Sequence, residues 1–357
     1  MENDPKKILL IDDSALMRRV MSDIINHIDG FTVAYLAADG EEGYAYLSKQ
    51  NDIDVVMTDI DMPKMDGLTL IKKSKEAGVV APFIVFSARE DSYAVFTALD
   101  LGAIEFIRKP EHIFQKDVQR YAEKIKKALC MAVEVKERTQ HKAEAACTME
   151  PEKPVIIKKK HRQKNGKKLV ALVCSTGGPR ALQSVIPKLP KNLAAPVVLV
   201  QHMPAGFTKS MAERLNELSQ VQVKEASNGE VLKNGVVYIA PGGTHIAIKK
   251  SGASHVISFN DMPPIGGLKP CANIMFDSLT SSNYDEVVCV VLTGMGADGT
   301  DGILSLGKSK PIYVIAQDEK SSVVYGMPRA IYEAGVVDEV VTLSDVAKAI
   351  TKNVGVK

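Results

Sequence analysis

Two sets of residues in this 357-residue chain could do chemistry, and the members of each are far apart along it. In the first half, Asp12 and Asp13 follow an apolar run, Asp59 stands in TDIDMPKMDG, Ser87 in FSARE and Lys109 in FIRKP. Three carboxylates gathered in one place repel one another unless a cation neutralises them, and hard oxygen ligands with open water positions suit Mg²⁺. A phosphoryl group arriving there would meet metal, an ammonium and a hydroxyl. In the second half, Ser175 opens STGGP, His202 stands in QHMPAG and Asp298 in TGMGADGTDG. A hydroxyl, an imidazole and a carboxylate are the parts of a hydrolase that works through an acyl-enzyme.

Each motif taken alone has a plainer reading. Asp12, Asp13 and Ser14 are also the residue types that cap a helix. A glycine-rich turn after a first strand is as often an anion-binding loop. STGGP, however, lacks both the Lys-Ser/Thr pair and the G-x-G-x-x-G spacing that a nucleotide site expects. A lone histidine such as His202 is more often structural than catalytic, and the Gly- and Asp-rich stretch around Asp298 reads equally well as a turn. Cys174 lies beside Ser175 as a rival nucleophile, but neighbours on an extended chain point opposite ways, so only one of them can face a site. His245 in APGGTH is the rival base, and its place inside an expected hairpin strand suits a pocket-lining role better.

The elements that must position these residues argue for the chemical reading. From Lys7 to about Leu129, the apolar runs ILLI, VVM, FIVF and IEFI alternate with helical periodicity at about 15–28, 41–50, 68–77, 92–101 and 113–129. Such runs read as parallel strands buried on both faces, and five βα units predict a doubly wound sandwich. In an open parallel sheet the carboxyl ends of neighbouring strands converge on one crevice. Asp12, Asp13, Asp59, Ser87 and Lys109 each fall at such an end. A second series begins with LVALVC and continues through VVLV, a hairpin region at 236–259, VVCVVL and IYVIA. It predicts a second, mostly parallel α/β domain with an antiparallel hairpin insertion, and again Ser175, His202 and Asp298 lie just beyond strands.

Between the two, apolar periodicity lapses into Lys, Glu, Gln and Ala and ends in KKKHRQKNGKK, which reads as a solvated linker. The expected division is 1–130 for the first domain, 131–167 for the linker and 168–357 for the second domain. The formal net charge is +2, too small to attract nucleic acid or a membrane surface globally. No segment after the linker looks like a basic recognition helix. The N-terminal apolar run is too short for a signal peptide or a membrane span. Five cysteines without metal-binding or redox spacing fit a reducing cytoplasm.

At this point two resemblances emerge. Residues 5–130 resemble the response-regulator receivers, which have a flavodoxin-like fold. From about Lys168 to the end, STGGP, QHMP, APGGTH, LKP, TGMGADG and AQDEKSSVVYGMP, in that order, resemble the catalytic domain of the chemotaxis protein-glutamate methylesterases, the CheB family. The first resemblance implies that Asp59 is the phosphoacceptor and that Asp12, Asp13, Asp59 and the Asp61 carbonyl hold Mg²⁺. It also implies that Ser87 and Lys109 grip the phosphate, that Phe106 is the aromatic switch and that the phosphodonor is a chemotaxis histidine kinase. The second implies a Ser175–His202–Asp298 triad, with the Met295 amide holding the oxyanion and Thr176 nearby, and no cofactor for the ester hydrolysis. Its implied substrates are glutamate methyl esters on methyl-accepting chemoreceptors, and glutamine deamidation could pass through the same acyl-enzyme. Together they imply that phosphorylation of the receiver relieves a restraint on the hydrolase. Two departures from the family pattern stand out: Val173 where many members carry glycine, and Cys271 after LKP where serine is usual.

Overall fold

The computed structural model of the chain describes residues 4–87, 92–109, 115–145, 155–156 and 166–356. It divides into two compact units, Met1–Glu150 and Pro151–Lys357. Most of the basic run KKKHRQKNGKK, Arg89 and Glu90 of FSARE, and Pro110 of FIRKP lie outside the described residues.

The first unit alternates β1 Lys6–Ile11, α1 Ala15–Asn26, β2 Phe31–Ala37, α2 Gly40–Lys49, β3 Val55–Thr58, α3 Gly67–Glu76, β4 Phe83–Ser87, α4 Ser92–Leu101, β5 Glu105–Arg108 and α5 Gln115–Ala145. All five strands are parallel, in the order β2-β1-β3-β4-β5. This is the doubly wound sandwich expected. Strands β3 and β4 are buried at every position, which is why they stand out as unbroken apolar runs. Strand β2 lies at the sheet edge with its pattern largely half-buried or exposed, so FTVAYLA carries no such signature.

The last helix of this unit does not stop near Leu129 but continues to Ala145, through the first part of the stretch read as linker. Its extension is rich in Ala, Glu, Lys and Arg, which are good helix formers. Met131 and Ala132 are buried, and the Lys136 ammonium donates to Ile53 O at 3.0 Å and to Asp54 Oδ1 at 2.9 Å. Tertiary contacts on one face thus hold a helix whose polar composition resembles that of a linker.

The second unit runs β6 Val155–Ile156, β7 Lys168–Cys174, α6 Gly178–Val185, β8 Val197–Gln201, α7 Phe207–Leu218, β9 Gln222–Glu225, β10 Val236–Ile239, β11 His245–Ser251 and β12 Ser254–Asn260. It continues through α8 Ala272–Ser278, β13 Glu286–Val291, α9 Thr300–Ser309, β14 Ile312–Gln317, α10 Gly326–Glu333, β15 Glu339–Val341 and α11 Val346–Val354. Eight strands form one sheet in the order β6-β15-β14-β13-β7-β8-β10-β9, parallel except for β6 against β15. The hairpin insertion is β11 with β12. Val236–Ile239, read from sequence as part of that hairpin, instead joins the main sheet parallel to β8 and β9. It is buried at all four positions, a burial that two-faced cover by the sheet's helices demands.

The strand order reverses between β7 and β13. In open α/β sheets the crevice beyond the strand ends at such a reversal is where ligands bind. The turn after β7 therefore has the turn after β8 on one side and the turn after β13 on the other. The core beneath is continuous, from Leu169, Val198 and Tyr238 to Phe276, Val287 and Met327.

Candidate functional site

Strand β7 ends at Cys174, and the next residue, Ser175, is half-buried at the turn into α6. Its backbone is tied to both flanking turns. The Ser175 N–H donates to Thr293 O at 3.0 Å, and its carbonyl accepts from Gln201 Nε2 at 2.9 Å. From the other side, the His202 N–H donates to Cys174 O at 3.2 Å. The Ser175 side chain abuts Gly294, where any Cβ would overlap Met327 Sδ and come within 2.8 Å of Ser175 Cβ. Only glycine allows the turn after β13 to pass that close to the serine.

His202 and Asp298 are in direct contact. The imidazole Nε2 lies 2.8 Å from Asp298 Oδ2, with both side chains nearly enclosed. Three further donors converge on the same carboxylate: the Ala272 amide at 2.6 Å, the Asn273 amide at 3.1 Å and the Cys271 thiol at 3.1 Å. Burial alone would push the Asp298 carboxyl up. The His202 hydrogen bond, the Ala272 amide and the Cys271 thiol outweigh it and hold the pKa down at about 2. An ionised carboxylate can only accept, so Nε2 carries the hydrogen. In the neutral ring, Nδ1 is then the unprotonated nitrogen.

The departure at Cys271 has a geometric account. Its thiol occupies the place from which a serine hydroxyl could donate to Asp298. Burial and that same hydrogen bond push the Cys271 thiol up to about 12, so it acts as a donor and not as a nucleophile. Cys174 is fully buried, its thiol raised by desolvation and bonded to Gln201 Oε1 at 3.0 Å. It faces the core while Ser175 faces outward, as alternation along a strand requires. His245 opens β11 and is completely buried. Its Nδ1 accepts from the Cys271 N–H at 3.0 Å, so its Nε2 carries hydrogen toward Pro263 O at 3.2 Å. The rival base is thus occupied on both nitrogens as a brace behind Cys271.

Of the other residues singled out, Met295 is exposed in the turn after β13, and Thr176 is buried. The Gly294 N–H is spent on Val324 O at 3.0 Å, so it cannot serve as the donor to a ligand, and the next amide in the turn is that of Met295. Sequence reasoning assigned no role to Gln201, although the motif QHMP contains it, nor to Asn273. The Asn273 side-chain carbonyl accepts from the Gly299 amide at 3.0 Å and the Gly302 amide at 2.9 Å, holding the loop that carries Asp298. A polar side chain at the end of an apolar strand was the available signal for Gln201; none pointed to Asn273.

In the first unit, the carboxylates of Asp12, Asp13 and Asp59 each offer an oxygen within 4.8 Å of the others. Asp12 and Asp59 each place Oδ2 2.5 Å from the Lys109 ammonium. Burial, followed in effect by the opposing Lys109 contacts and the neighbouring Asp12 charge, leaves the Asp59 carboxyl raised above its ordinary value. One ammonium against three carboxylates leaves negative charge in excess, and these hard oxygen donors fit a Mg²⁺ ion. Ser14, not the aspartates, caps α1 by accepting from the Met17 N–H; Asp12 Oδ1 accepts from the Ser14 N–H at 2.8 Å and keeps Oδ2 for the cluster. Ser87 is buried at the end of β4 and its carbonyl accepts from the Lys109 N–H at 2.9 Å. Phe106 is half-buried in β5. The Asp61 carboxylate is not among the gathered three.

Comparisons with known proteins find two families along the chain. A CheB methylesterase family model matches residues 170–350, and a response regulator receiver domain model matches residues 8–116. A protein-glutamate methylesterase/protein-glutamine glutaminase of Oceanobacillus iheyensis is 38% identical over 353 residues, covering 97% of this chain and 98% of that one. A protein of the same description from Halalkalibacterium halodurans is 37% identical over 349 residues, covering 97% of each. Among solved structures, the catalytic domain of Thermotoga maritima CheB methylesterase is 40% identical with a TM-score of 0.51, covering 52% of this chain and 98% of that one.

Proposed function

The chain belongs to the CheB methylesterase family, with a response regulator receiver domain ahead of the catalytic one, and from that premise we propose that it hydrolyses protein glutamate methyl esters with Ser175, His202 and Asp298. The observation that carries the reading is the His202–Asp298 pair, held by three additional donors beside the turn of Ser175. Because Nε2 is committed to Asp298, His202 uses Nδ1 as its basic nitrogen.

In the first half-reaction Ser175 Oγ bonds to the ester carbonyl carbon while its proton passes to His202 Nδ1. The imidazolium that forms is stabilised by Asp298. Negative charge builds on the former carbonyl oxygen, and the Met295 amide donates to it with Thr176 alongside; a donor of this kind is worth about 3 kcal/mol of barrier. The tetrahedral adduct collapses to an acyl-serine as the imidazolium returns its proton to the departing methoxide, releasing methanol. Water, deprotonated by His202, then bonds to the acyl carbon, and the Ser175 Oγ–acyl bond breaks as the imidazolium returns that proton to Oγ, which frees the glutamate carboxylate and restores the serine. A glutamine side chain would follow the same course with ammonia leaving, so one triad serves both reactions.

The substrates we assign are methyl-accepting chemoreceptors, and the catalytic residues are to work in the cytoplasm. Among the described residues no helix is long and apolar enough to cross a membrane. The receiver's part is regulation: Asp59 accepts a phosphoryl group from a chemotaxis histidine kinase, and the modification raises the esterase rate. Asp12, Asp13 and Asp59 with the Asp61 main-chain carbonyl would hold Mg²⁺, which when bound neutralises charge on a transferring phosphoryl group. Lys109 and Ser87 would contact its oxygens, and Phe106 would respond to them.

The direct test is methanol release from methyl-esterified receptor. Ser175→Ala lowers it by roughly a thousandfold or more, while Cys174→Ala leaves it near normal; the opposite pattern overturns the assignment. A small-molecule phosphodonor raises the rate of the intact chain and leaves Asp59→Asn unchanged; an equal response from both would refute regulation through Asp59.

A further inference from the structure

We propose that Gln201 is a positioning residue that sets the serine turn and the histidine turn in register. The inference rests on the roles just assigned to Ser175 and His202, and it concerns how two segments 27 positions apart are held at one place.

Gln201 is the last residue of β8 and is 1% exposed. Its amide group has three polar positions, and all three are engaged. One N–H donates to Ser175 O at 2.9 Å and the other to His202 O at 3.2 Å. The side-chain carbonyl accepts the Cys174 thiol at 3.0 Å. A single planar group therefore joins the main chain of the nucleophile to the main chain of the base. The His202 N–H also donates to Cys174 O, and Ser175 O accepts a second hydrogen bond from the Gly178 N–H at 2.8 Å, so the glutamine shares the serine carbonyl with the first turn of α6.

The surroundings leave the amide no other place. A Cβ on Gly178 would overlap Gln201 Oε1 and come within 3.1 Å of Cys174 Sγ, so α6 begins with a residue that makes room for it. Burial of the Gln201 side chain makes the contacts consequential, because an amide shut away from water keeps its protein partners and does not exchange them for solvent. A shift of even about 1 Å between nucleophile and base can lower turnover roughly a hundredfold. The partners of the Gln201 amide are two main-chain carbonyls and the Cys174 thiol, none of them a reacting atom, which separates its part from that of a catalytic residue.

The experiment uses the full chain with Gln201→Met, which keeps the length and apolar bulk but removes every hydrogen bond. Three quantities are measured: kcat and KM for methanol release, the initial rate at which a serine-directed fluorophosphonate labels the enzyme, and the end point of that labelling. The expected result is a fall in kcat of roughly 10- to 100-fold with KM within about twofold. The labelling rate should fall in parallel while the end point stays at one per chain. Full turnover, or a low end point reached at the normal rate, overturns the proposal, since the second would mean only that fewer molecules fold. Should Gln201→Met accumulate no folded protein, Gly178→Ala displaces the same amide by one methyl group and is read the same way. Ser175→Ala is run beside them: if it still releases methanol, the triad reading fails, whereas an inactive Ser175→Ala with an undisturbed Gln201→Met sinks only the present inference.

Discussion

At the scale of single residues, the features that matter are a depressed carboxylate and a thiol that feeds it. Asp298 is held at about 2, below the ordinary carboxylate value of 3.8. A depressed folded-state value means that the native state is favoured while the carboxylate is ionised, and that this advantage is lost as pH falls through the folded value. Asp298→Asn should therefore be less stable than the parent chain above pH 4 by on the order of 2 kcal/mol. The gap should narrow as pH drops from 4 toward 2, which urea midpoints of the catalytic unit's transition would read out. A constant gap across that range would contradict the pairing. Cys271 tests the same cluster from its other side. Cys271→Ser retains a donor to Asp298 and should keep kcat within about twofold, whereas Cys271→Ala removes it and should lower kcat about fivefold, the equivalent of about 1 kcal/mol.

At the scale of elements, the decisive feature is that β7 lies between β8 and β13, so each flanking strand end delivers one partner to the serine turn. The close passage at Gly294 belongs to this level, because it is the turn after β13 and not a particular side chain that must approach Ser175. Gly294→Ala inserts a methyl group against Met327 and Ser175. It should cost about 1–3 kcal/mol of stability and lower methanol release further than the loss of folded protein explains. A variant with normal turnover per folded molecule would show that the turn tolerates displacement. Strand β2 and the extension of α5 illustrate the opposite situation. Their polar exteriors hide structural roles that only the neighbouring strand, and the Ile53 and Asp54 contacts of Lys136, reveal.

At the scale of the whole molecule there are two units, each with its own core, so heat or denaturant should unfold them in separable steps. The receiver's acidic cluster offers a way to identify its step. The raised Asp59 carboxyl means that its ionised form is the one the folded state tolerates less. Asp59→Asn should then stabilise that unit at neutral pH, an advantage that disappears as pH falls below about 4, where the carboxyl is protonated in both states. Millimolar Mg²⁺ should raise the midpoint of the same step in the parent chain by mass action, leave the other step where it was, and do much less in Asp59→Asn. Movement of both steps, or of neither, would count against metal binding at Asp12, Asp13 and Asp59.

What the sequence by itself determined is the placing of chemistry at the ends of buried strands. Apolar runs of strand length and the glycine-rich turns after them are local patterns, and local sterics and burial suffice to put Ser175, His202, Asp298, Asp12, Asp59 and Lys109 just beyond strands. Which strand ends become neighbours depends on non-local pairing, and so does every fact that assigns work to an atom. Only the tertiary structure turns His202 Nε2 to Asp298, sends the Cys174 thiol inward, sets Cys271 in a serine's place, commits His245 to bracing it, and lets Gln201 span two turns. Hydrogen bonds between segments dozens to a hundred residues apart have no signature in the periodicity of either segment, because each is satisfied only once the sheet has brought the two together.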